Sequence, residues 1–139
     1  NNLEYLSVDA FRSCRHLNEL RLGGNRLLRI QPIQLAHYLN RLQLLDLSSL
    51  ASVDWSNENL GNQSNQMINK FSHIKWLQFD FNQLHSIPNE MIDIFPGIKH
   101  LDLQNNLIDS IHFNNHNQML INHWMKFLIL LFEHSVYYQ

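Results

Sequence analysis

The chain is almost without cysteine. Cys14 stands alone among 139 residues, so no internal disulfide can staple the fold, and the cysteine count leaves the redox compartment open. Charge is sparse and nearly balanced: ten basic and twelve acidic residues leave a net charge of −2 with the histidines neutral. That balance argues against a general nucleic-acid binder, which needs a basic surface to neutralise phosphates. The apolar run Trp124–Phe132 is broken by Lys126 and falls far short of the roughly 20 residues of a membrane-spanning helix. Catalytic signatures are missing too: no G-x-S-x-G, no P-loop and no glycine-rich dinucleotide fingerprint occurs. The first residues lack the basic, apolar and small-residue regions of a signal peptide. What remains, 45% hydrophobic and 16% charged residues, is an ordinary composition for one soluble domain.

The information lies in spacing. In Ile98–Ile111, IKHLDLQNNLIDSI, apolar residues fall at Ile98, Leu101, Leu103, Ile108 and Ile111, with Asn106 between the third and the fourth. Leu101 and Leu103 alternate as a short strand would, both pointing inward. Asn106 then sits where the chain turns, and its side-chain amide can bond backbone groups that the turn leaves unpaired. Leu17, Leu20, Leu22, Asn25, Leu27 and Ile30 repeat the pattern, as do Ile74, Leu77, Phe79, Asn82, Leu84 and Ile87. Leu42, Leu45 and Leu47 repeat it with Leu50 in place of the asparagine. The units are offset by 25, 32 and 24 residues, so the middle interval holds a normal repeat plus an insertion. One such unit cannot bury its own apolar face and must stack on its copies.

Between the strands, Phe11, Cys14 and Leu17 recur every third residue, as do Ile68, Phe71 and Ile74, and Ile92, Phe95 and Ile98. Leu35, Tyr38 and Leu42 form a looser copy, one residue longer. This spacing predicts short helical or 3₁₀ turns packed on the sheet's other side, with Cys14 acting as a small hydrophobe. Ser56–Gln66 is polar and predicts a surface loop within an insertion at about 54–66. It holds Asn62-Gln63-Ser64, an N-glycosylation sequon that also arises by chance in so Asn/Ser-rich a segment. Asn1–Leu6 matches Asn25–Ile30 and so opens in mid-repeat, which predicts a fragment of a longer protein and makes the missing signal peptide uninformative. Residues 112–139 read as a degenerate last repeat, with Trp124, Phe127, Ile129 and Phe132 in the pattern positions, or as a tail from a mis-joined exon.

Residues 1–111 therefore resemble the leucine-rich repeat superfamily. The 24-residue spacing looks like the typical subclass, common in animal extracellular proteins such as the chaoptin, Slit and Toll groups. The resemblance implies an α/β repeat fold: a solenoid with a concave parallel sheet and short helical, 3₁₀ or irregular convex turns. It also implies ligand binding and no catalysis or cofactor. The disulfide-rich end caps frequent in extracellular members are absent. An extracellular adhesion or receptor segment is the first expectation and an intracellular scaffold or regulatory subunit the alternative. The partner would be a protein, and contact with a membrane would run through other parts of a parent chain.

Stacked repeats place equivalent residues about 4.8 Å apart in columns, and the residues between the leucines face outward. One column reads Glu19, Leu44, Trp76, His100, and the next Arg21, Asp46, Gln78, Asp102. Gly23, Ser48, Asp80 and Gln104 follow, then Gly24, Ser49, Phe81 and Asn105. Trp76 and Phe81 are the candidate binding aromatics, ringed by Gln78, Asp80, His100, Asp102, Gln104, Arg21 and Asp46. Two structural readings stand beside this one: Trp76 packed along its own column against Leu44 and His100, and Phe81 tucked under a neighbouring loop. Arg21 and Asp46, adjacent and opposite in sign, predict a solvated ion pair worth about 0.2–1 kcal/mol. Asn1, Asn25, Asn82 and Asn106 form the expected structural asparagine ladder. His112, His116 and His123 lack further ligands in a matching pattern, so scattered surface histidines are favoured over a zinc site.

Overall fold

A computed structural model describes residues 2–26, 30–50, 53, 72–88, 91, 94–109 and 122. The described residues form a parallel sheet of β1 (Glu19–Arg21), β2 (Leu44–Asp46), β3 (Trp76–Gln78) and β4 (His100–Asp102), side by side in chain order. A 3₁₀ turn at Val8–Phe11 precedes the sheet, and the helix α1 (Pro32–Tyr38) lies between β1 and β2. Pro32 opens that helix, where its fixed φ fits and its missing N–H costs nothing. The arrangement is compatible with an α/β repeat-like fold. Among the described residues no helix is long and apolar enough to cross a membrane.

Register follows the sequence spacing without a slip. Leu20, Leu45, Leu77 and Leu101 are partners across the sheet, flanked by Glu19, Leu44, Trp76 and His100 on one side and Arg21, Asp46, Gln78 and Asp102 on the other. Leu20, Leu45 and Leu77 are buried, and so are Leu22, Leu47, Phe79 and Leu103 two positions on. A one-residue slip would turn every one of these side chains outward, so burial itself fixes the pairing.

The hydrogen-bonded ladder outruns the three-residue strands. Before them, the Leu44, Trp76 and His100 amides donate to the carbonyls of Asn18, Gln43 and Lys75. Beyond them, Leu22, Leu47 and Phe79 donate to Asp46, Gln78 and Asp102, and Gly24, Ser49 and Phe81 donate to Ser48, Asp80 and Gln104. Each stretch of about seven residues is thus tied to its neighbour in the same way, whatever its side chains.

Ahead of β1, Phe11, Cys14 and Leu17 carry the predicted triplet spacing, and ahead of β4 so do Phe95 and Ile98, the two described members of theirs. Cys14 donates to Phe11 and Leu17 to Cys14, both i→i−3 bonds of a 3₁₀ type, and Ile98 does the same to Phe95. In the copy that is one residue longer, the buried side chains are Leu35, Leu39 and Leu42, and Tyr38 is half-buried. The reason is helical period: α1 puts Leu39 under Leu35 at i+4, while Tyr38 packs half-buried against the core and its hydroxyl donates to Asp9 at 2.8 Å. Asn1, Leu27, the insertion at 54–66 with Asn62, Ile68, Phe71, Ile92, Ile111 and the segment 112–139, save Asn122, lie outside the described residues.

Candidate functional site

Asparagine secures the turns that carry the exposed face. Asn82 is buried; its Oδ1 accepts the Leu50 amide at 3.0 Å, and its Nδ2 donates to the carbonyls of Leu47 and Phe79, both at 3.0 Å. Asn106 repeats this, accepting from Leu84 at 3.1 Å and donating to Phe79 and Leu103 at 2.9 Å. Asn25 accepts from Leu3 and donates to Leu22. Each amide therefore joins its own turn to the preceding one. Leu50 cannot do so, and its own amide is instead held by Asn82 from the next unit.

Three positions past the end of each strand, the backbone takes a left-handed conformation: φ is +67° at Gly24, +51° at Ser49, +53° at Phe81 and +54° at Asn105. Glycine adopts it freely and asparagine readily, whereas a bulky residue there is an outlier. Gly23, the residue before Gly24, leaves room for two polar side-chain ends. A Cβ there would come within 2.6 Å of Asp46 Oδ1 and closer still to Ser48 Oγ.

On this frame the exposed aromatics stand out. Trp76 is 42% and Phe81 61% exposed. Trp76 stacks on His100 with ring centroids 4.8 Å apart and planes within 3°. Column packing is therefore present, and yet the indole keeps nearly half its surface in water. Phe81 is held outward on its left-handed residue and is not tucked beneath a loop.

The predicted Arg21–Asp46 pair is not made. Asp46 Oδ1 is occupied by its own turn, accepting the Ser48 amide at 3.0 Å and the Ser48 hydroxyl at 2.6 Å. Arg21 reaches past it to Gln78 Oε1 at 3.3 Å and back to Glu19 Oε2 at 3.3 Å. Asp102 Oδ1 likewise accepts the Gln104 amide at 3.0 Å. A carboxylate two residues before a turn amide closes the turn in preference to pairing across strands. Asp80 lies beyond them on the same face. Partial burial, then the charges of Asp102 and Asp46, push its carboxyl above the ordinary aspartate range, against a backbone hydrogen bond that lowers it.

The nine predicted face residues thus gather on one side of the sheet and its following turns, with Trp76, His100 and Phe81 the aromatic elements. Sequence reasoning left out Glu19, Asn18, Gln43 and Leu44, which with Trp76 line a cleft of about 300 Å³ at the start of β1, β2 and β3. The register placed Glu19 and Leu44 in Trp76's own column, and that was the signal available. Among the described residues no group of three or more His, Cys, Asp or Glu could hold a metal ion; His112, His116 and His123 lie outside them. Comparison with protein-family models and with curated proteins finds no match.

Proposed function

We propose that this chain is a leucine-rich-repeat solenoid that works as a non-catalytic protein-recognition module. Its partner binds the concave sheet face through Trp76 and Phe81, with Gln78, Asp80, His100, Asp102, Gln104, Arg21 and Asp46 around them. The observation that carries this reading is the pair of exposed aromatic rings on a sheet whose opposite side packs into the core. Large rings in water are costly, and aromatics ringed by polar groups are the usual make-up of an interface centre.

A photo-crosslinking phenylalanine analogue at position 81, with one at Ser86 as control, tests it in the parent cells. Position 81 should capture a discrete protein and position 86 should not. Trp76→Ala should weaken that partner's affinity by more than ~1 kcal/mol and leave the thermal transition close to wild type. Loss of the fold on Trp76→Ala would make the indole a core residue and sink the proposal.

The parent protein is proposed to be an extracellular adhesion or receptor molecule. A glycan on Asn62, found by peptide mapping before and after N-glycan removal, would support this. The second reading is an intracellular scaffold, which the free thiol of Cys14 would suit without deciding the compartment. A natively expressed parent without any glycan would move the weight there.

A further inference from the structure

The cleft beside Trp76 has a lining that selects a particular kind of side chain. His100 covers Trp76 from the β4 side, while Leu44 is its register partner on the β2 side. The cleft lies beside that second side, lined by Asn18, Glu19, Gln43 and Leu44 together with Trp76. Resting on the recognition reading above, we propose that this cleft takes an arginine side chain presented by the protein partner.

Four features fit a guanidinium. The indole offers a face on which a planar cation stacks, and Trp is the strongest of the aromatic partners. Glu19 supplies the only charge in the lining, and it is negative. Asn18 and Gln43 in the lining each carry an amide oxygen able to accept from the remaining N–H groups, and Leu44 offers apolar surface for the aliphatic stem. Glu19 already holds a guanidinium, that of Arg21, in a long 3.3 Å contact with both side chains more than half exposed. An incoming arginine can displace it, because Arg21 keeps its bond to Gln78. Asp46, Asp80 and Asp102 across the same face attract a cation toward the site and disfavour an anionic rival.

The test uses the whole chain, isotope-labelled, titrated with acetyl-Gly-Arg-Gly-amide and with the neutral, equally shaped citrulline peptide. The arginine peptide should shift the Trp76 indole N–H and the Asn18 and Gln43 side-chain amides, and bind at least tenfold more tightly than the citrulline one. Glu19→Gln, an isosteric change at an exposed residue, should erase that preference while the remaining spectrum stays in place. Equal binding of the two peptides, or shifts confined to Asp80 and Asp102, would overturn the proposal. If the position-81 crosslink persists while the arginine peptide fails, only the arginine assignment falls. If the peptide binds and no crosslink forms, the recognition reading falls instead.

Discussion

The two sides of the sheet obey opposite rules of repetition. Inward, the four units are near copies: Leu20, Leu45, Leu77 and Leu101 pair in register, with Leu22, Leu47, Phe79 and Leu103 buried behind them. Outward, the same strands carry Glu19, Leu44, Trp76 and His100, four unrelated chemistries in one column. The backbone ladder is indifferent to this difference, since its bonds recur unit after unit across Leu22, Leu47 and Phe79. Stability is thus assigned to one side and left free on the other, which is the division a binding surface requires.

The sharpest way to break that division is to remove a member of the repeating side. Asn82→Ala leaves the Leu50 amide and the Leu47 carbonyl without the bonds that Asn82 makes in a buried setting. It should lower stability by about 2–4 kcal/mol, from a cost of about 1–3 kcal/mol for each buried group left unsatisfied. Asn25→Ala should cost less, because the Leu3 amide it holds is on an exposed residue at 3.2 Å. Urea midpoints of the two variants decide it; equal losses would mean that the ladder does not grade with burial.

A smaller effect of opposite sign is expected on the other side. Phe81 combines a left-handed backbone, φ +53°, with 61% exposure. Phe81→Gly removes a conformational penalty of about 1–2 kcal/mol and gives back part of it in chain entropy, so a net gain up to about 1 kcal/mol is expected. The gain should come with weaker affinity for the partner that the position-81 crosslink identifies. A Phe81→Gly variant that loses stability would show the ring to be packed, and the contrast between the two sides would blur at that position.

Most of the repeating side was legible in the sequence, because burial imposes one residue class at each position and the spacing then repeats. Leu17, Leu42, Ile74 and Ile98 set the register in advance of any coordinates. The non-repeating side was legible only as position. Asp46 and Arg21 were correctly placed as neighbours, yet their side chains went elsewhere, since the Ser48 amide two residues along competes for the carboxylate and nothing in a column listing weighs that competition. Leu39 joined the core beside a half-buried Tyr38 for a similar reason: a three-residue period and a helical period differ by one residue over a single turn. The cleft beside Trp76 was missed because it draws on Asn18 and Gln43, which precede the strands and belong to no outward column.

The smallest expected effect tests whether the repeating side extends to the chain just ahead of β3. His73 is half-buried there, with Nε2 3.2 Å from the Leu39 carbonyl oxygen. Burial holds its pKa below the ordinary histidine value, helped by the nearby Lys75 charge and opposed by the bond to Leu39. Below a pH of about 6.5 the unfolded chain therefore takes up a proton at this residue that the folded chain still refuses. The unfolded state binds more protons in that window, so stability falls as pH drops through it, and the fall ends once folded His73 is itself protonated. Urea midpoints at pH 8 and pH 5.5 should differ, and the difference should shrink in His73→Gln. An undiminished difference in that variant would place the proton uptake on another residue and leave His73 outside the cooperative core.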